Sequence, residues 1–306
     1  MAEVRTQAAG IIARQEDVTP AVLAVMERTD DPRLREIMVS LVTHLHAFVR
    51  DVRLTEAEFR DATAILNEIG ALASDTHNEA VLMAGSLGLS SLVCLLNNGN
   101  NGQTETSQSL LGPFWRLNSP RMSNGASIVR SDTPGEPLFV TGRVQDENGR
   151  PIADAEVDIW HASPVGLYEH QDPKQADMNL RGTFTTDADG RFWFRTVKMV
   201  GYPIPTDGVV GRLLRAQDRH PFRPAHLHAL IFKHGYKTLI SQVYDPSDPH
   251  IDTDVQFGVT RALIGDFIRH DEPRTDSAAV EPPWYSLDYT YVMEPGVAVL
   301  PRAPIK

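Results

Sequence analysis

His226 and His228 have the residue type and spacing that most clearly indicate chemistry in this chain. They lie in the segment Arg223-Pro224-Ala225-His226-Leu227-His228, and apolar residues alternate with them as far as Phe232. This alternation predicts a strand, on which residues two apart point to the same face. Two imidazoles on one face suit a transition metal. Taken alone, however, such a pair is more often simply hydrogen-bonded, so the other ligands must decide.

Carboxylates beside the histidine pair would indicate other kinds of metal site. A cupin site requires a glutamate at a fixed offset, and residues 229–235 contain none. An iron(II) site of two histidines and one carboxylate needs an acidic residue near the pair, and residues 226–233 contain none. Residues 245–254 are acidic but lack the spacing and glycine of an EF-hand. We therefore predict a turn-rich loop with capping aspartates there.

Composition and charge exclude several classes of protein. The chain has 306 residues, enough for two domains, and its net charge of −11, without a Lys/Arg cluster, argues against nucleic acid as a partner. No apolar run reaches the length of a membrane span, and residues 1–10 lack a signal-peptide core. The single cysteine, Cys94, excludes a disulfide framework or a cysteine-based metal site. We expect a cytoplasmic protein with Cys94 as a buried, unreactive thiol.

The hydrophobic pattern changes character near residues 100–110. Helical periodicity and capping signals predict a helical region over residues 1–105. Short alternating segments separated by turns predict a β-sandwich over 106–306, interrupted by one more helix at 255–270. The predicted N-terminal helices begin at Thr19-Pro20, at Asp31-Pro32, at the capping box of Thr55 and Glu58, and at about Asn78, the last ending near Leu96. The predicted strands are 138–145, 155–161, 182–186, 191–196, 225–232, 238–244 and 285–293.

Two tyrosines precede the histidine pair at turn-like positions. Tyr168 follows a predicted strand, and Tyr202 lies between Gly201 and Pro203, which oppose regular structure. Either tyrosine alone is an ordinary loop residue packed on the core. The order Tyr168, Tyr202, His226, His228, however, resembles the intradiol ring-cleaving dioxygenases, and so do the flanking segments. Those segments are 179–183, 187–192, 200–203 and 223–228.

The resemblance implies a non-haem Fe(III) ion held by Tyr168, Tyr202, His226 and His228. Such a set is chemically coherent because phenolate is a hard anion that favours Fe(III). Tyrosine has an ordinary pKa of about 10, so only a highly charged cation deprotonates two of them at neutral pH. The resemblance also implies that Tyr202 leaves the iron and takes up a proton when a diol binds.

Two further catalytic residues are implied by the same resemblance. Arg223 is expected to stabilise negative charge on the activated ring or on the developing oxyanion. Gln242, on a predicted strand, matches the family's glutamine beside the iron. Without the resemblance, Arg223 is equally a surface ion-pair residue and Gln242 an ordinary solvent-facing strand residue.

The resemblance covers essentially the whole chain. It implies a mainly β fold, with a β-sandwich catalytic domain at 106–306 and an N-terminal α-helical dimerisation region at 1–105. The helical region resembles that of the catechol and hydroxyquinol branch. Members of this branch pair through these helices and hold a phospholipid-like molecule between them. We therefore expect a homodimer through the N-terminal helices, with a phospholipid at its interface.

Segments 110–115 and 235–244 look closer to hydroxyquinol enzymes than to catechol enzymes. The expected reaction cleaves hydroxyquinol (benzene-1,2,4-triol) with O2 between the two ortho hydroxyl-bearing carbons, giving 3-hydroxy-cis,cis-muconate or maleylacetate. By resemblance, the residues lining the ring pocket are Leu82, Gly85, Leu110, Gly112, Pro113, Pro203 and Ile204.

Gly85 is a departure from the hydroxyquinol pattern, which tends to have an acidic residue there. Its absence removes a partner for the third hydroxyl and is expected to open space for bulkier or chlorinated rings. Two alternatives stay open. The chain is otherwise a catechol or chlorocatechol 1,2-dioxygenase, or a β-sandwich metal protein of non-enzymatic or isomerase type with zinc or iron(II).

Overall fold

Two four-stranded sheets are the main feature of the fold. The computed structural model describes residues 11–74, 77–97, 108–276 and 278–304. The chain forms two compact units, residues 1–67 and 68–306. The predicted division at 105/106, between a helical region and a β-sandwich domain, stays a prediction. The mainly β architecture with helices at the N-terminal end is confirmed.

The helices of the described residues follow the capping signals closely, with two exceptions. Asp31 accepts hydrogen bonds from the backbone of Arg33 and Leu34, and Thr55 and Glu58 cap the next helix reciprocally. The helices are α1 (Gln15–Met26), α2 (Pro32–Asp51), α3 (Glu56–Ala71), α4 (Glu79–Ser86), α5 (Leu89–Asn97) and α6 (Val209–Ala216).

Two helix predictions in this region were wrong in detail. The first helix begins at Gln15 rather than after Thr19, because the Asp17 carboxylate accepts the backbone N–H groups of Ala13 and Arg14 and caps an earlier turn. The predicted helix at 78–96 is two helices. Gly88, with a φ of +73°, takes the left-handed conformation that separates them.

The strands form a sandwich of two sheets with orders β4-β1-β10-β9 and β3-β2-β7-β8, and a two-stranded ribbon β5-β6. All neighbouring strands are antiparallel except β1 and β10. The strands are β1 (Pro137–Asp146), β2 (Glu156–Trp160), β3 (Arg181–Thr185), β4 (Arg191–Val197), β5 (Tyr202–Pro203), β6 (Phe222–Arg223), β7 (His226–Phe232), β8 (Leu239–Tyr244), β9 (Phe267–His270) and β10 (Trp284–Met293).

The predicted helix at 255–270 was also wrong. The segment contains a short 3-10 turn, Arg261–Leu263, and then β9, which pairs with β10. Gly265 approaches β8 so closely that an added Cβ would lie 2.5 Å from Val243. This close approach ties the segment to the sheet and prevents a regular helix.

The core lies between the two sheets and explains why β7 presents its histidines outward. Leu227, Ala229 and Ile231 belong to the core cluster together with side chains of the other sheet, such as Phe192 and Leu287. The alternate residues of β7 therefore point to the opposite face of the sheet. In the described part of the chain, no single helix is long and apolar enough to span a membrane, and α4 with α5 reaches that length and composition only as a pair bent by 76°.

Candidate active site

Four buried side chains converge on the outer face of β7. The Nε2 atoms of His226 and His228 lie 3.2 Å apart, and the Tyr202 hydroxyl lies 3.3 Å from Nε2 of His226. The Tyr168 hydroxyl lies 3.1 Å from that of Tyr202. All four residues are at most 6% exposed. Two phenols and two imidazoles thus point their polar atoms at one small volume.

The local fold explains how residues distant in sequence meet here. Tyr202 on β5 pairs with Arg223 on β6, only three residues before His226, so the ribbon places a phenol over the end of β7. Tyr168 precedes a 3-10 turn that follows the loop after β2. Gly166, with a φ of +78°, turns that loop so tightly that an added Cβ would lie 3.1 Å from Cβ of Tyr202.

Each imidazole is fixed on the side away from this centre. Nδ1 of His226 donates to the carbonyl oxygen of Pro224 at 2.6 Å, which leaves the lone pair on Nε2. Nδ1 of His228 lies 3.2 Å from the amide nitrogen of Gln242, and the indole of Trp160 stacks on the ring of His228 at 4.6 Å. The rings are therefore oriented before any ligand binds.

Burial governs the protonation of the four groups. It lowers the pKa of His226 to about 3 and lowers the pKa of His228 well below its ordinary value. It raises the pKa of both Tyr168 and Tyr202 above the ordinary value of tyrosine. The imidazoles are therefore neutral and able to bind a metal at physiological pH, and the phenols lose their protons only to a highly charged cation.

Arg223 and Gln242 lie beside this cluster in one hydrogen-bonded network. Arg223 is buried and binds both carboxylate oxygens of Asp254, at 3.1 and 3.0 Å. It also donates to the Gln242 amide oxygen and to the Tyr244 hydroxyl, and its Nη1 lies 3.4 Å from Nε2 of His226. Burial raises the pKa of Asp254 and Arg223 lowers it, with a net downward shift, so the two form a buried ion pair.

Asp254 and Tyr244 were missed from the sequence. Tyr244 carries a detectable signal, because Gln242 and Tyr244 alternate on β8 directly opposite His228 and His226 on β7. Asp254 has no such signal. It lies at the end of the acidic loop, and only the folded chain shows that its carboxylate turns inward to Arg223.

A cavity of about 580 Å³ adjoins the cluster. Four of the residues predicted for the ring pocket line it, namely Leu82, Leu110, Gly112 and Pro113. Gly112 connects it to the histidines, since an added Cβ there would lie 3.3 Å from Cε1 of His228. Cys94 also lines this cavity and is half-buried, and burial raises the pKa of its thiol.

Two other residues predicted for the ring pocket lie elsewhere. Pro203 is exposed on β5, and Ile204 packs in a buried apolar cluster with Leu82 and Val255. Pro203 and Ile204 are not among the residues that line this cavity, and their assignment to the ring pocket stays a prediction. A smaller cavity of about 380 Å³ next to the first is lined by Leu82 and Pro113 together with His77 and Pro205.

The expectation that Gly85 opens space is wrong. An added Cβ at Gly85 would lie 2.6 Å from Oε1 of Gln256 and 2.7 Å from its Cδ. The side chain of Gln256 thus fills the volume that a residue at position 85 would otherwise occupy. Gln256, which the sequence did not single out, also lines the large cavity.

Sequence models of known families match most of the chain. The model described as "Dioxygenase" matches residues 110–291, and the one described as "Catechol dioxygenase N terminus" matches residues 31–105. The chain belongs to the intradiol dioxygenases. The family resemblance noted from the tyrosine and histidine order is thereby confirmed, and the protein is an enzyme of this family.

Individual relatives of this intradiol dioxygenase cover nearly its whole length. A hydroxyquinol 1,2-dioxygenase of Rhizobium sp. is 41% identical over 91% of this chain and 95% of its own. A 6-chlorohydroxyquinol 1,2-dioxygenase of Cupriavidus pinatubonensis is 41% identical over 92% of this chain and 98% of its own. The crystal structure of hydroxyquinol 1,2-dioxygenase from Pseudomonas putida superimposes with a TM-score of 0.84 at 36% identity, covering 92% of this chain and 99% of that one.

Proposed function

We propose that this intradiol dioxygenase uses Fe(III) to cleave hydroxyquinol between its two adjacent hydroxyl-bearing carbons. The product is the ring-opened 3-hydroxy-cis,cis-muconate, or its tautomer maleylacetate. The observation that carries the proposal is the convergence of Tyr168, Tyr202, His226 and His228 within hydrogen-bonding distance. The substrate is supported by two relatives, named for hydroxyquinol and 6-chlorohydroxyquinol, that are each 41% identical.

The donor set fits a trivalent cation. Two phenolates supply two negative charges and two neutral imidazoles supply none, so a buried Fe(III) with one further anion is electrically balanced. When bound, the ion would activate the deprotonated diol for reaction with O2. No cluster of three or more His, Cys, Asp or Glu that could hold a metal occurs among residues 11–74, 77–97, 108–276 and 278–304.

The residues around the donor set have separate tasks in this proposal. Bound to the ion as a phenolate, Tyr202 would accept a proton from the incoming diol, because its oxygen lies between Tyr168 and His226 at the centre of the donor set. Arg223 holds a fixed positive charge against the same histidine, where negative charge develops on the substrate. Gln242 fixes the orientation of Arg223 and lies beside His228.

Purified protein tests the proposal directly. We expect about one iron per chain and a red colour from charge transfer between tyrosinate and Fe(III). Hydroxyquinol should be consumed with one O2 per molecule, and mass spectrometry after reaction with isotopically labelled O2 should find both of its oxygen atoms in the product. A colourless zinc or iron(II) protein without oxygen uptake would overturn the proposal. Cleavage of catechol or a chlorocatechol in clear preference to hydroxyquinol would retain the mechanism and reject the substrate.

We also infer that the enzyme is a cytoplasmic homodimer that pairs through its N-terminal helices. The support is a stripe of exposed apolar side chains along α2, each 47–53% exposed, formed by Leu34, Ile37, Leu41, Leu45 and Phe48. Sedimentation analysis at micromolar concentration should give twice the mass of one chain. The phospholipid at this interface stays a prediction from the family resemblance, and lipid extraction with mass spectrometry tests it.

A further inference from the structure

Gln256 occupies an unusual position in the wall of the large cavity. The residue is 6% exposed, and its amide lies within 2.6–3.1 Å of the place where a Cβ of residue 85 would stand. Much of the wall is apolar, with Leu82, Leu110 and Pro113 among its lining residues. The Gln256 amide is thus a nearly buried polar group facing a largely apolar pocket.

The backbone of Gln256 is held firmly, whereas its side chain is not. Its N–H donates to Asp254 at 3.2 Å, and its carbonyl accepts from the Ser91 hydroxyl at 3.0 Å. Asp254 in turn binds Arg223, so the loop is anchored to the catalytic network. The side-chain amide makes no hydrogen bond to the part of the chain that the structure describes.

An amide that faces the cavity without a partner in the described part of the chain can bind a polar group of a ligand in place of water. Gly85 is the next-to-last residue of α4, and its missing side chain leaves room beside the amide. Any side chain at position 85 would require the amide to move. Gly85 and Gln256 are therefore complementary: because position 85 has no side chain, the glutamine amide can occupy that space.

We propose that Gln256 is a specificity-determining residue whose amide binds the third ring hydroxyl, the one not involved in cleavage, and that Gly85 provides its space. This rests on the proposed function. The amide can both donate and accept, and a ring hydroxyl can do the same, so one such hydroxyl satisfies the buried group. A ring without that hydroxyl leaves the amide unpaired and is disfavoured.

Replacement of Gln256 with Leu tests the assignment, since leucine is similar in size but cannot form hydrogen bonds. We expect the ratio of kcat/KM for hydroxyquinol to kcat/KM for catechol to fall about tenfold. Anaerobic titration of the iron-loaded enzyme with each diol should show the same loss in relative affinity. Gln145→Leu, on β1 in the other sheet, is the matched control and should leave the ratio unchanged.

Paired substitutions test the role of Gly85. Gly85→Asp alone should force the Gln256 amide out of its place, and the crowding of the two side chains should lower kcat/KM for both diols. Adding Gln256→Ala should restore the hydroxyquinol preference at least in part, with a carboxylate in place of the amide. A double variant no better than Gly85→Asp alone would overturn the pairing.

The outcomes separate this proposal from the function on which it rests. If the wild-type enzyme cleaves neither diol, or prefers catechol, the proposed function fails. If it prefers hydroxyquinol and Gln256→Leu folds with an unchanged melting temperature and an unchanged ratio, only the role of Gln256 is overturned.

Discussion

Apolar side chains are usually buried and polar ones exposed, and helix α2 and strand β7 depart from this pattern in opposite ways. None of the residues of Pro32–Asp51 is buried, and the apolar stripe from Leu34 to Phe48 faces outward. Along His226–Phe232 nearly every residue is buried, including both histidines. One region exposes apolar groups and the other encloses polar ones, and each arrangement costs free energy in an isolated chain.

The comparison indicates that α2 is suited to pack against a second apolar surface and that β7 is suited to bind a metal ion. The helix stripe needs a second apolar surface, and a second copy of the chain offers the same stripe in self-complementary form. The strand is suited to a cation, because its two imidazoles and the two phenols direct four electron-pair donor atoms at one small volume. Each region is therefore suited to bind a partner that a single chain does not supply.

Loss of a histidine that binds the metal should have the largest effect, because it removes the metal-binding property of β7. His226→Ala or His228→Ala should reduce iron to background and abolish oxygen uptake, because too few protein donors remain to hold the ion. Tyr202→Phe should retain iron and still turn over slowly, because it removes the proton acceptor and leaves three donors. Iron content by atomic emission, together with oxygen uptake, measures both effects.

His234→Ala is the matched control for this prediction, since His234 is exposed in the turn after β7. It should keep both iron and activity. Full iron stoichiometry in both the His226 and His228 variants would contradict the donor assignment.

Removal of the partner of Arg223 should have the next largest effect. Asp254→Asn leaves a buried guanidinium without its carboxylate, and we expect the free energy of unfolding to fall by about 3–5 kcal/mol. Chemical denaturation of the iron-loaded enzyme measures the change. Asp252→Asn, two residues earlier and exposed, should change it by less than about 0.5 kcal/mol. Equal effects of the two substitutions would show that the ion pair is unimportant for stability.

A charge placed in the apolar stripe of α2 should weaken the inferred dimer. Leu45→Glu places one carboxylate per chain in the inferred interface and removes two buried leucines from the dimer. Because burying a leucine contributes about 1.5–3 kcal/mol, the dimer dissociation constant should rise at least roughly a hundredfold. Sedimentation equilibrium measures it. Thr43→Glu, exposed on α2 but off the stripe, is the control, and an equal loss in both variants would argue against this face.

The sequence predicted the strands that carry the site better than the loops that complete it. Alternation located β7 and β8 within about two residues, because one face of each packs in the core and the pattern is local. Asp254 ends a loop whose acidic residues gave no sign of which one turns inward, and Gln256 lies in a segment wrongly predicted as a helix, whose apolar spacing is imposed by packing against β8 and α4. The complementarity of Gly85 and Gln256 joins residues far apart in sequence, so no local pattern contains it.

Asp158 offers the smallest test, and it contrasts a carboxylate held by hydrogen bonds with Asp254, which is held by an ion pair. This half-buried carboxylate lies on the same face of the sheet as His228 and accepts from the Trp115 indole at 2.8 Å. Burial raises its pKa to about 6, whereas the pKa of Asp254 beside Arg223 is lowered. A folded-state pKa above the unfolded one means that the folded chain binds the proton more tightly. Stability therefore declines as the pH rises from about 4 to about 6.

Asp158→Asn removes this charge while keeping an oxygen that can accept from Trp115. We expect the variant to be more stable than the wild type at pH 7.5 by on the order of 2 kcal/mol, and the difference to vanish near pH 4. Urea denaturation at the two pH values measures it, with the exposed Asp266→Asn as control. A difference of the same size at both pH values would show that the substitution acts through packing, and that the ionised carboxylate is tolerated without a cation.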